Sequence, residues 1–110
     1  MASRPELSAD QVWIAIQAIP KGSTASYGQI ALRAGYPGRA RWVARLLASG
    51  AGPKRLPWHR VVRSDGSIAF PPGSPEFDEQ VQRLRAEGVE VRNGRAAADS
   101  RRGLDEAIWG

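Results

Sequence analysis

Apolar residues recur at helical spacing through the first half of this chain and again near residue 80, with Gly and Pro interrupting the pattern between the runs. Val12, Ile16 and Ile19 share one face. Ser8-Ala9-Asp10-Gln11 precedes them and reads as a capping box, with a hydroxyl at the N-cap and Gln at N3. A first helix is therefore predicted over residues 9–19, stopped by Pro20 and Gly22. Ser26-Tyr27-Gly28-Gln29 repeats the capping logic and opens a short second helix with Ile30, Ala31 and Ala34, ended by Gly35. After Pro37-Gly38, a third helix places Ala40, Val43, Ala44 and Leu47 on one face and Arg39, Arg41, Trp42 and Arg45 on the other. Gly50-Ala51-Gly52-Pro53 ends it.

Two short helices joined by a Gly-containing turn make a helix-turn-helix pattern, with the third helix as the recognition helix. A plain helical hairpin with a solvated Arg face fits the same residues. Val61-Val62 and Ser67-Ile68 flank a tight turn at Arg63-Ser64-Asp65-Gly66 and predict a small β-hairpin, or wing. Ser74-Pro75-Glu76 starts a last helix, with Ser at the N-cap, Pro at N1 and acid in the first turn. Phe77, Val81 and Leu84 line its buried face, Glu87-Gly88 closes it, and Val89-Glu90-Val91 is extended. Residues 92–103 show no periodicity and read as a flexible tail, after which Leu104, Ile108 and Trp109 dock onto the body. The expectation is one mainly α domain with a small β hairpin, a winged helix-turn-helix over residues 1–110 with its folded part at about 8–91.

Charge adds a direction to this picture. Residues 11–64 contain no Asp or Glu and carry nine Lys or Arg, whereas the remainder has seven basic and eleven acidic residues, a balance of −4. A cationic half predicts an anionic partner on one face, and nucleic acid fits best. A basic surface that only promotes solubility is the plainer account. The chain has no cysteine, which excludes disulfides, thiolate zinc sites and thiol catalysis. No cofactor or metal motif is present, and a lone His with one Glu is too little for a metal site. Val12-Trp13-Ile14-Ala15-Ile16 is too short for a signal core or a bilayer span, so the chain reads as cytoplasmic, and nucleoid-associated when on DNA.

The most specific string is Pro57-Trp58-His59-Arg60-Val61-Val62. It resembles the Pro-Cys-His-Arg-Val active-site signature of the O6-alkylguanine-DNA alkyltransferases, with Trp58 in the place of the reactive cysteine. Three further pieces follow that family's order: Ser26-Tyr27-Gly28-Gln29-Ile30-Ala31, Ala40-Arg41-Trp42-Val43-Ala44 and Ala86-Glu87-Gly88-Val89. The likeness spans roughly residues 10–92, and the Trp variant of the string marks the alkyltransferase-like branch.

The resemblance implies a fold like the C-terminal DNA-binding domain of those enzymes. It also implies a non-enzymatic, monomeric DNA-damage sensor that binds O6-alkylguanine in duplex DNA by nucleotide flipping and passes the lesion to nucleotide excision repair. It assigns Tyr27 to the flipped phosphate, Arg41 to the vacated place in the stack, and Trp58, flanked by Pro57 and His59, to the pocket. Glu87 becomes the partner of His59, and Ser26, Arg39, Arg45 and Arg60 complete the DNA-contacting set, Arg60 also anchoring its loop. The family's pocket-closing loop carries a basic residue in some relatives; here Ala69-Phe70-Pro71-Pro72-Gly73 has none, and Phe70 offers stacking instead.

Taken singly, these residues admit other roles. Tyr27 fits a half-buried aromatic with a satisfied hydroxyl, Arg41 a phosphate contact, Trp58 a core tryptophan, and His59 with Glu87 a structural hydrogen-bond unit. Two rival functions stay open: a winged-helix regulator without lesion specificity, and an enzyme using His59 and Glu87 for acid–base chemistry.

Overall fold

The computed structural model describes residues 7–101. Its helices are α1 (Ala9–Gln17), α2 (Tyr27–Arg33), α3 (Ala40–Ser49) and α4 (Pro75–Ala86), with single 3₁₀ turns at Trp58–Arg60 and Ala98–Arg101. The strands are short: β1 (Ala25–Ser26), β2 (Val61–Val62), β3 (Val91–Arg92) and β4 (Arg95–Ala96). The mainly helical class with a small hairpin is as expected. Leu104, Ile108 and Trp109 lie outside the described residues.

Helix ends follow the local chemistry of the chain. The Ser26 hydroxyl accepts from the Gln29 amide at 3.0 Å while the Gln29 side-chain oxygen accepts from the Ser26 amide at 2.8 Å, a reciprocal capping box. Ser74 caps α4 by accepting from the Phe77 amide, with Pro75 in the first turn. The expected box at Ser8 does not form: its side chain makes no capping bond, and its backbone amide donates instead to the Tyr36 hydroxyl at 2.9 Å. α1 also ends two residues before the expected Ile19, because a residue preceding proline is pushed out of the helical region. Both α2 and α4 close with paired bonds from the two residues past the cap: Gly35 to Leu32 and Tyr36 to Ala31, then Gly88 to Arg85 and Val89 to Leu84. That closure needs a left-handed residue, supplied by Gly35 at φ +93° and Gly88 at φ +87°.

Two apolar clusters share one seam. The first joins Val12, Ala15 and Ile16 of α1, Ile30 and Ala31 of α2, Val43 of α3, Leu56 and Val61. The second joins Val62, Ile68, Leu84, Val89, Val91 and Ala96. Val61 and Val62 are adjacent in β2 and feed opposite clusters, as successive strand residues must.

The strand pairing departs from expectation twice. β2 does not form a ladder with Ser67-Ile68; it pairs in parallel with β1, Ala25 opposite Val61 and Ser26 opposite Val62. The turn itself forms, with the Gly66 amide donating to Arg63 and Asp65 holding Ser67 through its carboxylate, but Ser67 then bridges antiparallel to Arg95. The hairpin lies instead in the stretch expected to be a tail: β3 and β4 pair antiparallel around Asn93-Gly94. Both turn residues have positive φ, +52° and +71°, which matches the right-handed twist of the strands they join. Burial of Val91 and Ala96 against the second cluster holds this hairpin in place.

A Gly88→Ala variant should lose about 1–2 kcal/mol of stability in urea unfolding, because a side chain at that backbone angle is strained even where its Cβ meets nothing within 4 Å.

Candidate nucleic-acid interface

The parallel bridge between β1 and β2 is what assembles the site. α2 begins at Tyr27, the residue after β1, and the Trp58–Arg60 turn runs directly into β2. Residues thirty-one positions apart thus come to one place: Tyr27 and Trp58 line a single cavity of about 280 Å³. Phe70 lines it as well, meeting Trp58 edge to face at 5.8 Å between ring centres. Leu47, Ala48 and Gly50 from the end of α3 and Glu76 and Gln80 from α4 complete the wall. Burial raises the Tyr27 hydroxyl above its ordinary pKa, partly offset by the nearby Arg63 cation, so it stays protonated at neutral pH.

Pro57 and His59, expected in the pocket, are not part of its wall. Pro57 starts the 3₁₀ turn. His59 is buried behind it, its Nε2 2.8 Å from Glu87 Oε2. Arg60, expected beside DNA and as the anchor of its loop, is turned inward and does the anchoring. Its Nε donates to Glu87 Oε1 at 3.0 Å, one terminal nitrogen donates to Oε2 at 2.7 Å, and the other donates to the Ile19 carbonyl at 2.9 Å. The physical reason is the bidentate match between guanidinium and carboxylate, which a partly buried acid rewards more than solvent would. Ser26 is buried with its hydroxyl committed to the cap of α2. Glu87 also takes the Gly22 amide, at 3.4 Å, so one carboxylate ties α4 to the turn before β2 and to the loop after α1.

The remaining arginines face outward. Arg39, at the N-cap of α3, and Arg41 and Arg45, four apart on that helix, are exposed. Trp42 departs from its expected place on that face: it is half-buried, edge to face with Tyr36 at 5.4 Å. The α2–α3 pair therefore presents arginines outward over a packed aromatic hinge.

Sequence reasoning missed two groups. Gln80 is fully buried and donates both amide hydrogens, to the His59 carbonyl at 3.0 Å and the Val61 carbonyl at 2.9 Å. A buried glutamine on an otherwise polar helix turn gave only a weak signal. Arg83 places its guanidinium 5.7 Å from the Trp58 ring centre while pairing with Glu79 at 2.8 Å. Among the described residues no group of three or more His, Cys, Asp or Glu could hold a metal ion.

Residues 8–89 match the family of the 6-O-methylguanine DNA methyltransferase DNA-binding domain, and the chain belongs to that family. A protein of Vibrio parahaemolyticus named DNA base-flipping protein is 44% identical over 81 residues, 74% of this chain and 79% of that one. Alkyltransferase-like protein 1 of Schizosaccharomyces pombe is 33% identical over 99 residues, 90% and 91% of the two chains. The structure is similar to that of S. pombe Atl1 in complex with damaged DNA containing O6-carboxymethylguanine, with a TM-score of 0.67 and 37% identity over 76% of this chain and 77% of that one.

The Glu87 centre fixes a pH response. Burial alone would raise its pKa, but hydrogen bonds from Arg60 and His59 prevail and lower it from 4.5 to about 2. A carboxylate depressed on folding adds stability above pH 4.5 and loses it as pH falls towards 2. Burial lowers the His59 pKa, against the pull of Glu87, so the unfolded imidazole takes its proton first and acidification below 6.5 also costs stability. Glu87→Gln should therefore cost on the order of 3 kcal/mol at pH 7, with the gap to wild type narrowing in urea titrations as pH falls through 4.5.

Proposed function

We propose that this protein recognises O6-alkylguanine in duplex DNA, rotates the nucleotide into the cavity between Tyr27, Trp58 and Phe70, and holds it without removing the alkyl group. The observation that carries this reading is the cavity itself, about 280 Å³ and walled by three aromatic residues in a chain with no cysteine. Trp58 takes the position of the reactive cysteine in the alkyltransferases. Its indole packs against a purine and offers no acceptor for an alkyl group. The names of the relatives, a base-flipping protein and an alkyltransferase-like protein, support the same reading.

Extruding a base costs a few kcal/mol, and less where pairing is already weakened by damage. Stacking in an aromatic pocket returns about 1–3 kcal/mol per base. Tyr27 stands at the start of α2, where its hydroxyl meets the rotated phosphate. Arg41, exposed on the first turn of α3, fills the vacated place in the stack with a planar cation. Arg39 and Arg45 hold the backbone on either side. The protein works as a monomer in the bacterial cytoplasm and nucleoid. Because the lesion is left chemically unchanged, the complex serves repair only by passing it on, and nucleotide excision repair is the recipient in this reading.

The test is a binding comparison at fixed salt between duplexes carrying guanine or O6-methylguanine at one position, followed by analysis of the recovered DNA. Tighter binding to the methylated duplex with its methyl group retained is the expected result. Equal affinities would leave only a generic DNA-binding domain, and a demethylated product would make the protein an enzyme. Arg41→Ala should reduce the lesion preference about tenfold while changing the salt slope by no more than one ion; a changed slope alone would make Arg41 a phosphate contact.

A further inference from the structure

The cavity wall has a charge of its own. Glu76, exposed on the first turn of α4, is its only formally charged side chain; the others are apolar, or neutral like Tyr27 and Gln80. Among the described residues no ion pair neutralises Glu76, and residues 69–73, which bring Phe70 to the wall, contain no basic residue. Two cations stand outside the wall: Arg83, held by Glu79 and the Trp58 ring, and Arg63, whose charge acts on Tyr27. Gln80 adds no donor, because both amide hydrogens are held by backbone carbonyls and its leftover atom, Oε1, is a buried acceptor without a partner. An adduct ending in a carboxylate would therefore meet a wall whose one formal charge repels it and whose own residues supply no counter-cation, Arg63 and Arg83 standing behind it.

We infer that Glu76 sets the charge preference of this cavity: the protein takes bases with an uncharged alkyl group and disfavours those with an anionic one. The inference rests on the lesion-binding reading above and names the class of adduct for that site. Since Glu76 is exposed, water and salt screen the repulsion to about threefold in affinity near 0.1 M salt. Its exposure also makes Glu76→Gln a mild change, since Gln is a good helix former and, among the described residues, no hydrogen bond or ion pair of the fold uses the carboxylate.

The experiment measures binding of wild type and Glu76→Gln to three duplexes, carrying guanine, O6-methylguanine or O6-carboxymethylguanine. Removing an acid helps every DNA alike, so the ratio between the two lesions isolates the local effect. Wild type should favour the methyl over the carboxymethyl duplex about threefold, and the variant should bring that ratio close to one. Raising the salt should also shrink the wild-type ratio. A lesion preference with a ratio that Glu76→Gln leaves unchanged, or a wild type that favours the carboxymethyl duplex, overturns the role of Glu76 alone. Equal binding of wild type to all three duplexes removes the lesion-binding reading and this inference with it.

Discussion

One carboxylate holds the site in register. Glu87 accepts from Arg60 through both oxygens, from His59, and from the Gly22 amide, while Arg60 reaches on to the Ile19 carbonyl. α4, the 3₁₀ turn at Trp58 and the loop after α1 are thereby fixed to one another by charge-assisted bonds, each stronger than a neutral one. The position of Glu87 follows from backbone chemistry, because it is the cap residue of α4 and Gly88 supplies the left-handed turn that points the chain away. Without that closure the carboxylate would not face the turn.

This centre has the parts of a catalytic pair but works as a clamp. His59 is buried outside the cavity wall, its Nε2 is occupied by Glu87, and the Glu87 side chain is 12% exposed. Gln80 closes the same unit from the other side by binding the carbonyls of His59 and Val61. The string Pro57-Trp58-His59-Arg60 is therefore rigid on one flank through Glu87 and Gln80 and continuous with β2 on the other. What it presents to the cavity is the indole of Trp58, steadied by Phe70 at its edge and Arg83 near its ring.

Much of this was legible in the chain because it depends on local chemistry. Capping at Ser26 and Ser74, the glycine closures at Gly35 and Gly88, and the apolar faces of the helices are all decided within a few residues. The failures are of a different kind. The partner of Val61-Val62 is Ala25-Ser26, and no local signal distinguishes that distant parallel bridge from a hairpin across Asp65-Gly66. Asn93-Gly94 was a legible hairpin signal, hidden by the polar, Arg-rich stretch around it; its flanking Val91 and Ala96 decide the matter by burial. Arg60 reads both as a DNA contact and as the anchor of its loop, and which of the two its guanidinium serves is decided by a carboxylate twenty-seven residues later.

Charge divides the molecule along the same lines. The acid-free half, residues 11–64, supplies α2 and α3 with their outward arginines, so it carries the attraction for a polyanion. α4, rich in acid at its start, supplies the far wall of the cavity and the clamp behind it. The basic helices and the acidic helix are joined through β1–β2 and Glu87 and meet in the wall of the cavity. On the proposed reading, Arg39 and Arg45 set binding to any DNA, whereas Arg41, Phe70, Glu76 and Gln80 alter which base is held. The clamp that orders the pocket, Glu87 with His59 and Arg60, needs no nucleophile beside it to hold Trp58 in place, so recognition and chemistry are separable in this fold.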